Sequence, residues 1–82
     1  MEILDLSERL RKYVKRHNIE SYFNKQQSIL KINLFHPSLN VEILEPKHLR
    51  IYSFRITRKY RAIFIYRGNS TIEIVDINNH YE

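Results

Sequence analysis

Glu42, Arg61, His80 and Tyr81 are the residues of this 82-residue chain whose types could together do chemistry. RNA can be cut by its own 2′-hydroxyl. That oxygen attacks the adjacent phosphate once a base takes its proton, an acid supplies the leaving oxygen and a cation meets the developing charge. Arg61 suits the cation, Glu42 the base and His80 the acid or base, while Tyr81 can stack on a nucleobase or donate a proton. Each also has a plainer use: His80 as a frayed residue, Glu42 as the solvated side of a strand.

Other chemistries find less in the sequence. The four histidines (17, 36, 48, 80) lack metal-ligand spacing, and no cysteine joins them. The one glycine sits in a turn, so there is no Gly-rich phosphate loop, and no Gly-x-Ser-x-Gly elbow occurs. No metal and no other cofactor is expected.

Charge points the same way as the constellation. Fourteen Lys+Arg against nine Asp+Glu give a net +5. Seven basic residues (Lys47, Arg50, Arg55, Arg58, Lys59, Arg61, Arg67) and no acidic one fall between 47 and 67, interleaved with Tyr52, Phe54, Tyr60, Phe64 and Tyr66. Basic charge attracts a phosphate backbone and aromatic faces stack unpaired bases. A solvated basic surface over an aromatic core would have the same composition.

The elements that must position these residues are short. Eighty-two residues make one domain, 1–82, that buries only about 60% of the surface its unfolded form exposes. The lack of cysteine fits a reducing cytoplasm. The start, MEILDLSERL, carries no signal-peptide pattern, and no apolar run approaches the roughly 18 residues of a membrane span. A cytoplasmic protein without membrane contact is expected.

Residues 2–5 suit a short strand, followed by a helix over 6–17 with Leu6, Leu10, Tyr13, Val14 and His17 inward, capped by Asp5 or Ser7. Asn18 is a fair cap for a second helix over 19–35 that buries Ile19, Phe23, Leu30 and Leu34 and stops at Pro37. Strands are expected over 41–45, 49–57, 60–67 and 70–77. The result is an α+β domain, β-α-α-β-β-β, with two N-terminal helices on one face of a small antiparallel sheet. A two-residue Gly68-Asn69 turn would pair Ile65 with Ile72, Ile63 with Ile74 and Arg61 with Asp76. Arg55 shares the face of Arg61 if the turn at Arg58-Lys59 has three residues, and takes the other face if it has two.

HPSL (36–39), YSFRIT (52–57), YRAIF (60–64), IEIVDI (72–77) and the His80-Tyr81 that follows resemble the RelE/ParE toxin superfamily, in the same order over nearly the whole chain. The His-Tyr pair after the strand is most similar to the YoeB-type branch of ribosome-dependent mRNA interferases. The resemblance implies Glu42, Arg61, His80 and Tyr81 as the catalytic set and Arg55 as a second arginine of the motif. From the basic run, Lys47, Arg58 and Lys59 are expected to join Arg55 in holding RNA phosphates. It also implies the ribosome and mRNA as targets and a cognate antitoxin as partner. Glu45 stands where that branch has a lysine, and Glu82 follows the tyrosine. The ParE-type branch acts instead by binding a protein, DNA gyrase, and a decayed toxin would do neither. On the nuclease reading, Arg61→Ala is expected to abolish cutting and leave the fold intact.

Overall fold

The computed structural model describes residues 1–79; His80, Tyr81 and Glu82 lie outside the described residues. Its elements are β1 (Glu2–Ile3), α1 (Glu8–Arg16), α2 (Glu20–Ile32), β2 (Glu42–Ile43), β3 (Tyr52–Arg55), β4 (Tyr60–Tyr66) and β5 (Thr71–Asn79). Short 3-10 turns cover Pro37–Leu39 and Lys47–Leu49. The sheet order is β1-β5-β4-β3-β2. Strands β2 to β5 are antiparallel neighbours, and β1 adds to the edge of β5 in parallel, with Ile3 opposite Ile72. The sheet is therefore mixed where an antiparallel one was expected, and four strands follow the helices rather than the three of β-α-α-β-β-β. The α+β class with two N-terminal helices is the expected one.

Both helices are shorter than their apolar periodicity. Ser7, not Asp5, caps α1, its Oγ accepting from the Leu10 N–H at 3.2 Å. Asn18 caps nothing ahead of it. It takes φ +58 and closes α1 instead, with Asn18 N–H donating to the Lys15 carbonyl and Ile19 N–H to that of Val14. This pattern of bonds is a Schellman closure, and it places buried Ile19 beside buried Val14. Helix α2 stops at Ile32 because Asn33 adopts extended backbone and its Oδ1 accepts from the Phe35 N–H at 3.0 Å. Pro37 opens the next 3-10 turn rather than ending the helix.

The core lies between the helices and one sheet face. Leu10 and Val14 of α1 and Phe23 and Leu30 of α2 meet Phe54, Ala62, Phe64, Ile72, Ile74 and Ile77, all buried. Leu6, Tyr13 and Leu34 pack at its margin, and His17 is exposed rather than inward. No described helix is long and apolar enough to cross a membrane.

One polar side chain ties the layers together. Gln26 of α2 is buried and donates from Nε2 to the Ser38 carbonyl at 3.0 Å and the Arg55 carbonyl at 2.8 Å. A Gln26→Leu variant leaves both carbonyls without that donor, so it should unfold with about 2 kcal/mol less stability. Its melting midpoint should fall by roughly 10 °C, read by circular dichroism. An unchanged midpoint would show that the tie is not structural.

Candidate functional site

Two loop geometries decide which side chains share the face away from the helices. At the β3–β4 turn, Ile56 N–H and Thr57 N–H both donate to the Tyr60 carbonyl, and the Thr57 hydroxyl accepts from the Lys59 and Tyr60 N–H groups. The turn holds three residues, 57–59, so Arg55 stands directly opposite Arg61 and on the same face. At the β4–β5 turn, Arg67 N–H donates to the Thr71 carbonyl at 2.7 Å. That loop also holds three residues, and Gly68 takes φ +91, which an L side chain rarely adopts. With an irregularity between Ile63 and Phe64, the register places Ile65 opposite Glu73, Ile63 opposite Asp76 and Arg61 opposite Asn78.

The expected Arg61–Asp76 pairing is therefore wrong. Asp76 meets Arg9 of α1 instead, at 3.5 Å, and Arg9 also donates to the Val75 carbonyl. Likewise Arg67 pairs with Glu73 at 2.7 Å.

Arg61 is built into the structure. It is 5% exposed, and its Nε donates to the Ser53 hydroxyl at 2.9 Å. Its Nη2 donates to the carbonyls of Asn40 and, at 3.3 Å, Ser53. The Asn40 carbonyl is aimed there by local geometry. Pro37 opens a 3-10 turn, His36 Nδ1 accepts from the Ser38 N–H, fully buried Leu39 plugs into the core, and Asn40 takes the left-handed region at φ +43. Asparagine tolerates that conformation better than most residues. Because Arg61 closes this network, Arg61→Ala removes fold contacts as well as a cation. Arg61→Ala is therefore expected to destabilise the fold as well, where the sequence alone predicted no effect on it.

Glu42 reaches the same place from β2, where it pairs with Ser53. Its Oε1 lies 3.8 Å from Arg61 Nη2, and its side chain is 48% exposed. One guanidinium is thus held rigidly beside a half-exposed carboxylate. Arg55 is half-buried across from it, and its guanidinium makes no hydrogen bond or ion pair with a described residue. Like charges directly opposed in a sheet repel, so the Arg55–Arg61 pair favours a bound anion.

The other predicted residues stand further out. Lys47 is exposed on the Lys47–Leu49 turn, and Arg58 and Lys59 are exposed on the β3–β4 turn. Lys59 Nζ sits 5.8 Å from the Tyr60 ring. His80 and Tyr81 follow Asn79, which opposes Tyr60, and lie outside the described residues. At the other end of β4, burial and then the Tyr52 hydroxyl push the Tyr66 phenol above its usual 10.0. Among the described residues no group of three or more His, Cys, Asp or Glu could hold a metal.

Asn40 and Ser53 were not singled out from the sequence, although both fix the arginine. Ser53 carried a faint signal, as the small polar residue in an otherwise bulky YSFRIT strand. A carbonyl aimed by a left-handed asparagine carries none.

No protein-family profile matches the chain. A 45-residue stretch, 55% of this chain, is 40% identical to an uncharacterized protein of Haemophilus influenzae, and the match spans 39% of that protein's length. Among solved structures, a YoeB/ParE toxin from Agrobacterium tumefaciens superposes with a TM-score of 0.73, covering 99% of this chain and 100% of that one at 20% sequence identity. The chain has the fold of that toxin.

Proposed function

We propose that this chain is the toxin of a type II toxin–antitoxin pair and an mRNA interferase acting on the ribosome. The observation that carries the proposal is the placement of Arg55 opposite Arg61 with Glu42 alongside, on the sheet face the helices leave open. Shared fold with a YoeB/ParE toxin supports it, as does the run from 47 to 67 with seven basic residues and no acidic one.

In the reaction, Glu42 takes the proton of an RNA 2′-hydroxyl and the oxygen attacks the neighbouring phosphorus. Arg61, with Arg55, meets the extra negative charge. The bond to the 5′-oxygen breaks as His80 gives that oxygen a proton, leaving a 2′,3′-cyclic phosphate. Tyr81 orients the base or phosphate. No step needs a metal. Lys47, Arg58 and Lys59 hold flanking phosphates, and an antitoxin laid across the half-buried Ile63 and Ile65 would cover the same face.

A second proposal draws on a specific observation. Arg61 already donates to three atoms of its own chain, as a purely structural arginine would. On that basis the chain keeps the toxin fold and acts by binding a protein, as the gyrase-directed branch does, or has lost its activity.

One experiment separates the two. The purified chain is added to a reconstituted translation reaction on a defined mRNA, and breaks are mapped by primer extension. Cuts inside ribosome-occupied codons, absent without ribosomes, are expected. A folded chain that cuts nothing would leave the protein-directed or inactive alternative.

A further inference from the structure

A group of rings at the C-terminal end of α1 plays no part in the reaction above. Tyr13 and His17, one helical turn apart, lie with ring centroids 4.2 Å apart and planes inclined by 37°. Tyr60, first residue of β4, closes the group: its centroid is 5.5 Å from His17 and 6.2 Å from Tyr13, and its hydroxyl lies 3.2 Å from His17 Nδ1. Tyr13 and Tyr60 pack against the core, whereas His17 is exposed. The α1 closure uses backbone groups of residues 17–19 and leaves the imidazole out. The sequence alone would have buried this histidine.

We infer that the exposed imidazole of His17, backed by Tyr13, is a stacking platform for one unpaired base of a single-stranded RNA. The inference rests on the RNA-directed function proposed above. Three observations support it. The tilted Tyr13–His17 pair leaves the exposed imidazole as an outer aromatic surface backed by a second ring, and base–aromatic stacking tolerates any base. Basic residues adjoin the rings: Lys59 Nζ lies 5.8 Å from the Tyr60 ring, and Arg16 and Arg58 are exposed close by in sequence, with Glu20 the nearest acidic residue to His17 along the chain. Tyr60 and Arg61 are also consecutive and point to opposite faces of the sheet. The exposed Arg58-Lys59 turn lies between β3 and β4 at the sheet end, so a backbone held there passes from the Arg55–Arg61 face to the platform.

The test uses a short single-stranded RNA with 2′-O-methyl groups throughout, which cannot be cut, and a 2-aminopurine base. The full chain should bind it and quench its fluorescence. His17→Ala should weaken binding about tenfold and remove most of the quench, as expected for one lost stacking partner. His17→Phe should restore both, and binding of duplex RNA should be the same in all three proteins. Three outcomes would overturn the platform: parental binding and quench by His17→Ala, equal weakening toward single-stranded and duplex RNA, or no binding by the parent chain. His17-dependent binding by a chain that cuts no mRNA would support the platform while removing the nuclease.

Discussion

An Arg61→Ala variant is expected to lose about 3 kcal/mol of folding stability, because it leaves the Asn40 and Ser53 carbonyls and the Ser53 hydroxyl without their buried donor. A domain of this length has roughly 4–12 kcal/mol in total. The loss should lower the melting midpoint by roughly 10–20 °C. Cutting should vanish as well, but only measurements well below that lowered midpoint speak to the chemistry. Arg61→Lys sharpens the comparison. It keeps a cation but not the planar fork that serves Ser53 and Asn40 at once, so it should regain only part of the stability and none of the cutting. If Arg61→Ala melts within a degree or two of the parent chain, the network around Arg61 is not structural.

Glu42→Gln should lose cutting without the loss of stability, and it is the cleaner probe of mechanism. The side chain is half-exposed, and its one ion pair, at 3.8 Å to Arg61, is the kind that contributes little. Thermal stability should therefore change by less than about 1 kcal/mol. Loss of a general base lowers a rate by about 10²–10⁴-fold. The expected result is a folded chain whose ribosome-dependent cuts fall by that factor when primer-extension bands are quantified over time. Parental cutting by a folded Glu42→Gln chain would show that some other group takes the 2′-hydroxyl proton.

The order of elements could be read from the sequence because the apolar period changes from helical to alternating after Leu39 and turn residues separate like elements. The ends of the elements could not. Leu34 and Phe35 continue the apolar pattern of α2 past Asn33, yet Phe35 is 87% exposed. Apolar character there reports surface, not helix. The face of Arg55 and the partner of Arg61 both hang on whether a turn holds two residues or three, a matter of backbone hydrogen bonds rather than composition. The irregularity between Ile63 and Phe64 then moves Asp76 off Arg61. As for the site, the nearness of Glu42 to Arg61 was reachable only through a family resemblance, because a two-residue strand gives no period to read. The carbonyl of Asn40 was not reachable at all.

The parallel pairing of β1 with β5 has a consequence for how the protein is made. Glu2 N–H donates to the Ser70 carbonyl and Leu4 N–H to that of Ile72, so the first described strand waits for the last. Contacts this distant in sequence form late, since the intervening loop must close first. During synthesis, β1 has no partner until Thr71 and Ile72 have emerged. The sheet therefore cannot be completed before those two residues are out, and any shorter nascent fragment leaves β1 without its partner.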